Sequence, residues 1–332
     1  MPQKEINRRL LPARLRGAIS FSLLAVALAA GAYYVLTHRA ILNHLAQISW
    51  IVSVTVFFLY IVMFGVLLLI LKASMNICAR KLKSVENAVI NAHSLFINFF
   101  VPGQGGSAYR GLRLRQLHGL RIKNYIIVTL FYYLLYVILS AALMLAGNVP
   151  WWQTTLSVIL IGVAGIAIVY WYSKRSRVGQ HQFRVSPQNI FFLLFATGLQ
   201  TAVQAFIYGV ELRSVNSQIS LTQMMTYTGA ANLTLFAALT PGAIGIRESF
   251  LIFTKQLHHI SSANIVEANL IDRGVYIVFL LVLLLIVFGS NVASRRRKRE
   301  TGEKPRSSEP INDNRQWTMN LSPASEVERF GS

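Results

Sequence analysis

Apolar residues run in blocks of about 20, the length needed to cross a bilayer as a helix, and short basic clusters separate the blocks. Such runs at 17–36, 48–71, 124–146, 154–172, 189–210 and 271–290 predict six spanning helices. Ala29, Ala30 and Ala32 leave a cleaved signal peptide as the alternative reading of the first run. The turn between the third and fourth runs carries Pro150, Trp151 and Trp152, residues suited to a membrane interface.

Two further apolar segments are broken. Residues 85–101 are interrupted by Glu86, Asn87, Asn91, His93, Ser94 and Asn98 and end at Pro102-Gly103. The basic stretch from Arg110 follows, so the chain is expected to enter and leave on the same face. Residues 221–257 repeat the pattern: Pro241, Gly242 and Gly245 break the run before Arg247 and Glu248. Irregular backbone at membrane depth is tolerated where it lines a cavity, and paired interruptions point to a transporter-like site. The expected fold is an all-α polytopic membrane protein with about six spanning helices. Two opposed re-entrant helical hairpins complete it, related as an inverted pseudo-repeat.

Composition agrees with this class: 54% of the 332 residues are hydrophobic and 13% are charged. The net charge of +20 could suggest nucleic acid, but the basic residues sit between apolar runs as topology determinants. In the predicted topology, 27 of the 32 Lys and Arg fall on one face, leaving Arg39, Arg213, Arg247, Lys255 and Arg273 elsewhere. That face is read as cytoplasmic, with both termini on it. The expected organisation is a basic N-terminus at 1–16, a membrane domain at 17–290 and a disordered tail at 291–332. The single cysteine, Cys78, precludes an intramolecular disulfide and reads as a small interfacial hydrophobe.

Buried charge is the main chemical signal. Pro241-Gly242 is suited to open a helix whose N–H groups aim into the membrane interior, and such an end receives anions. Arg247 adds a fork of donors matched to phosphate. In the first hairpin Asn98, Pro102, Gly103, Gly106 and Arg110 can be arranged similarly. Glu248 and Asp272 are the acids expected within the embedded body, and pairing is expected among Arg247, Glu248, Asp272 and Arg273. This cluster can be a structural ion network or a lipid-headgroup or proton site. His93 and His118 lack partners at metal-ligand spacing, and Tyr132, Tyr133 and Tyr136 form a stripe suited to helix packing or a cavity wall. No metal site, cofactor-binding motif or catalytic set is found.

At these residues the chain resembles the membrane domain of the lysylphosphatidylglycerol synthase family, a flippase-type region found in bacterial and archaeal cytoplasmic membranes. Residues Pro241, Gly242, Ala243, Ile244, Gly245, Ile246, Arg247 and Glu248 resemble the family's Pro-Gly-Gly-x-Gly-x-Arg-Glu segment. Asp272-Arg273 falls where an acidic-Arg pair opens the last helix, and Asn98, Pro102, Gly106 and Arg110 resemble the first cluster. The resemblance spans about 17–290. Departures are Ala243 for a glycine, Ser107 where an acid is frequent, and Phe131-Tyr132-Tyr133 where an acidic-Arg pair often stands. They shift the expected charge-paired site to the second hairpin.

The resemblance implies translocation of an anionic or modified phospholipid or lipid-linked substrate by a stand-alone member without the synthase domain. A membrane-embedded transferase or accessory protein in lipid or lipid-linked glycan synthesis is the alternative, and a scaffold for a lipid-synthesis complex is a third reading. Expected partners are the lipid, the membrane, and a second copy or a lipid-synthesis protein.

Overall fold

The computed structural model describes residues 49–100, 105–145, 149–150, 152–153, 156, 159, 163, 167, 186–234 and 246–300. Among these residues all regular structure is α-helical. The helices are α1 (Trp50–Ile77), α2 (Ser84–Phe100), α3 (Gly105–His118), α4 (Ile122–Leu145), α5 (Pro187–Val215), α6 (Leu221–Thr234), α7 (Ile246–Phe253), α8 (Lys255–His258) and α9 (Ser262–Glu300).

Four helices are long and apolar enough to cross a membrane: α1, α4, α5 and the Ser262–Val287 part of α9. They correspond to four of the six expected spans. The run at 17–36 and most of that at 154–172 lie outside the described residues. By contacts, residues 1–285 form one unit, and residues 286–332 a second that contains the end of α9.

Helix starts follow local chemistry. Ser186 accepts a hydrogen bond from the Asn189 N–H at 3.2 Å, with Pro187 in the first turn. At α6 the Ser220 hydroxyl accepts from the Gln223 N–H at 3.2 Å and the Gln223 side chain accepts from the Ser220 N–H at 3.0 Å, a reciprocal capping box. His259, in the left-handed region at φ 55°, ends α8.

Most faces of the spans are apolar, as membrane-embedded helices are. On α1 the buried stripe of Val56, Tyr60, Met63, Val66 and Ile70 faces the interior, while Phe58, Ile61 and Val62 point outward. The main packing partners are α1 with α5 and α4 with α6. The second contact is close because of Gly229: a Cβ there would land on the Ser140 carbonyl oxygen and the Met144 backbone. Small residues let backbones approach where dispersion, not hydrophobic exclusion, drives association.

Helices α2 and α3 form a hairpin. Asn98 accepts from the Gly106 N–H at 2.7 Å near the tip, Asn91 lies 3.5 Å from Arg110 midway, and Glu86 lies 3.1 Å from His118 at the open end. Partners that descend on one arm as they climb on the other require antiparallel arms. Helix α6 packs on α7 and α8, where the Tyr227 and His258 rings meet edge to face at 5.7 Å.

Two expectations about boundaries are corrected. The span expected at 189–210 continues to Val215, so Glu211, expected in a connecting loop, lies inside a helix with 1% exposure. Ser186 and Pro187 start the helix early, and no breaker stands before Asn216. The last helix also continues past residue 290 to Glu300. Its Arg-rich end is made of good helix formers.

Candidate functional site

Arg247 lies in the first turn of α7, 5% exposed. Its Nη1 donates to Asp272 Oδ2 of α9 at 2.5 Å, and the guanidinium sits 4.7 Å from the centroid of the Tyr208 ring of α5. Tyr60 of α1 donates to Oδ1 of the same carboxylate. Both oxygens of Asp272 are therefore engaged, one by a charge and one by a phenol, as a buried carboxylate requires.

Aromatic packing holds this arrangement. The Tyr60 ring lies 5.0 Å from Tyr276 and stacks on Phe279 at 5.6 Å, while Phe99 of the first hairpin reaches Tyr276 at 5.8 Å. Tyr208 meets Tyr227 edge to face at 5.6 Å. These contacts fix the Tyr60 hydroxyl and the face beneath Arg247, so the guanidinium is positioned before any ligand arrives.

The guanidinium is only partly used. Among the described residues its Nε and Nη2 are buried with no hydrogen-bond partner. These two groups form one edge of the planar fork, the edge that presents parallel N–H donors to a phosphate or carboxylate. Glu211 lies within electrostatic reach of Arg247, Asp272 and Arg273, and its Oε1 is also buried without a partner. Thr226, Asn232 and Asn269 add further unpaired buried polar atoms from α6 and α9. Orphaned polar atoms are costly in an apolar interior.

In the first hairpin Arg110 is surrounded by neutral groups. Its Nη1 lies 3.5 Å from Asn91 Oδ1 and its Nη2 3.3 Å from Ser107 Oγ, which itself hydrogen-bonds the Tyr133 hydroxyl. Asn98 is spent on the Gly106 N–H, so that backbone donor is satisfied by the chain itself. Gly106 is required at the tip, since a Cβ there would strike the Ser94 carbonyl and the Asn98 side chain. Tyr132 donates to Gln200 of α5 at 2.9 Å, and Tyr136 comes within electrostatic reach of Tyr208 and Arg247. The tyrosine stripe on α4 thus runs from one arginine toward the other.

The structure brings together Arg247 and Asp272, with Arg273 in electrostatic reach of Asp272. Pro102, Gly103, Pro241, Gly242, Gly245 and the Glu248 side chain lie outside the described residues. Tyr60, Tyr208 and Glu211 are absent from the sequence-based set. Tyr208 and Glu211 lie on α5 with Thr197 and Thr201, all buried and recurring at helical spacing as a polar stripe that shows only once the helix is known to reach Val215. Among the described residues no group of three or more His, Cys, Asp or Glu could hold a metal ion.

Compared with known families, residues 18–283 match the model described as Lysylphosphatidylglycerol synthase TM region. No curated protein matches the chain.

Proposed function

Because the chain belongs to the lysylphosphatidylglycerol synthase transmembrane-region family, membrane proteins linked to lipid synthesis or transport, we propose that it binds and translocates an anionic or modified phospholipid, or a lipid-linked substrate. The observation that carries this reading is the unused Nε–Nη2 edge of Arg247, buried beside the Asp272 pair. A phosphodiester headgroup fits that edge while acyl chains remain in lipid. Arg110 in the first hairpin is the second station. The two hairpins open it and the Arg247 site alternately to opposite faces of a bacterial or archaeal cytoplasmic membrane, with both chain termini on the cytoplasmic side. In this reading Pro241, Gly242 and Gly245, with Glu248 beside Arg247, shape the approach to the site.

The transferase alternative requires an acid or base free to meet substrate. Asp272, one of the two candidates read from the sequence for that role, spends both oxygens on Arg247 and Tyr60, which favours binding over chemistry at that residue. Native mass spectrometry of gently extracted protein tests the reading. Anionic phospholipid is expected to co-purify with wild type and to be depleted in Arg247→Lys; equal retention by both overturns the assignment of the headgroup to Arg247.

A further inference from the structure

We propose that Glu211 is a proton-binding site coupled to the anion site, so that a phosphate-bearing headgroup and a proton are taken up together. The inference rests on the headgroup reading above and adds what controls it. Glu211 is 1% exposed, one of its carboxyl oxygens has no hydrogen-bond partner, and the edge of Arg247 left open is equally unpartnered.

The groups near Glu211 come from five helices. They are Tyr60 of α1, Tyr208 on its own helix, Tyr227 of α6, Arg247 of α7, and Asp272 and Arg273 of α9. Tyr136 of α4 reaches Tyr208 and Arg247. Glu211 hydrogen-bonds the Asp272 carboxyl, whose oxygens also take Arg247 and Tyr60, so a proton on Glu211 sits beside the Arg247–Asp272 pair and can leave without breaking it.

An ionised Glu211 adds a second negative charge beside Asp272 and repels an arriving phosphate. A neutral Glu211 removes that repulsion, its O–H donating to the Asp272 carboxylate. The proton comes from water, stays on the carboxyl while the anion is bound, and leaves when the anion leaves. Reciprocity then fixes the sign: anion binding takes up a proton, and affinity rises as pH falls through the titration of Glu211.

The test uses the full chain in detergent, with dihexanoyl phosphatidylglycerol and dimethyl phosphate, a phosphodiester that does not itself titrate there, as separate probes, between about pH 5 and pH 8. Wild-type affinity is expected to weaken by up to about tenfold per pH unit above the titration, with about one proton absorbed per anion bound in weakly buffered solution. Glu211→Gln, which imitates the neutral acid, is expected to bind as tightly as wild type at low pH, with no pH dependence and no proton uptake. Linked binding of dimethyl phosphate assigns the linkage to the phosphate group, and linked binding of lipid alone assigns it to the headgroup with its chains; either supports the coupling. Identical pH dependence in wild type and Glu211→Gln, or no proton uptake by wild type, overturns the coupling and leaves the headgroup reading intact. Absence of binding of either probe to folded wild type at every pH overturns both.

Discussion

Arg247 and Asp272, 25 residues apart in sequence, meet at 2.5 Å inside the helical body, and Tyr60 closes the other side of the carboxylate. Removing one partner leaves a buried charge without compensation, which costs about 3–5 kcal/mol. Arg247→Ala and Asp272→Ala should each lower stability by that order in detergent unfolding, whereas the apolar double variant Arg247→Met with Asp272→Leu should recover most of the loss. A double variant less stable than either single would contradict the account of the pair.

The sequence marks Arg247 and Asp272 because an ionisable side chain at membrane depth has few structural uses. It does not reveal their pairing, since Glu248 and Arg273 are neighbours of equal standing in a one-dimensional reading. Glu211 was hidden by its position one residue beyond a run that looked complete at residue 210. Its burial depends on α5 continuing another turn and packing against α1, which is a tertiary fact. The spans are legible for the opposite reason: bilayer thickness sets their length, and the basic clusters bound them.

Helix contact through glycine gives a second prediction. Gly229→Ala places a methyl on the Ser140 carbonyl and the Met144 backbone, so α4 and α6 must separate, at a cost of about 1–3 kcal/mol. Gly65→Ala, in α1 with nothing within 4 Å of the added Cβ, should be neutral or stabilising by about 0.4–1 kcal/mol. Thermal unfolding midpoints of the two variants measured in parallel check the contrast.

The thiol of Cys78, at the end of α1, is 1% exposed, and burial pushes it up to about 12. At neutral pH it is a thiol rather than a thiolate, and reagents cannot reach it. Maleimide should leave the folded protein unlabelled and label it stoichiometrically after denaturation, a clean readout because the chain has one cysteine.

His258 is held neutral by geometry. The Ile260 N–H donates to Nδ1 at 3.1 Å, so the proton sits on Nε2, which donates to the Leu251 carbonyl at 3.0 Å. Burial lowers its pKa below the usual imidazole value. A histidine depressed in the folded state contributes stability that is fully present above the unfolded value and is lost as pH falls below about 6.5. The unfolding midpoint should drop between about pH 6.5 and pH 5. His258→Asn, which keeps an acceptor for the Ile260 N–H, should flatten that slope.

The most direct test of the central claim is translocation of fluorescent phosphatidylglycerol in proteoliposomes, read by dithionite quenching of the outer leaflet. Arg247→Lys keeps the charge beside Asp272 but removes the side-on fork, and Gly65→Ala serves as the folded control. The account predicts protein-dependent translocation by wild type and Gly65→Ala and its loss in Arg247→Lys. Translocation by Arg247→Lys at the wild-type rate would contradict it.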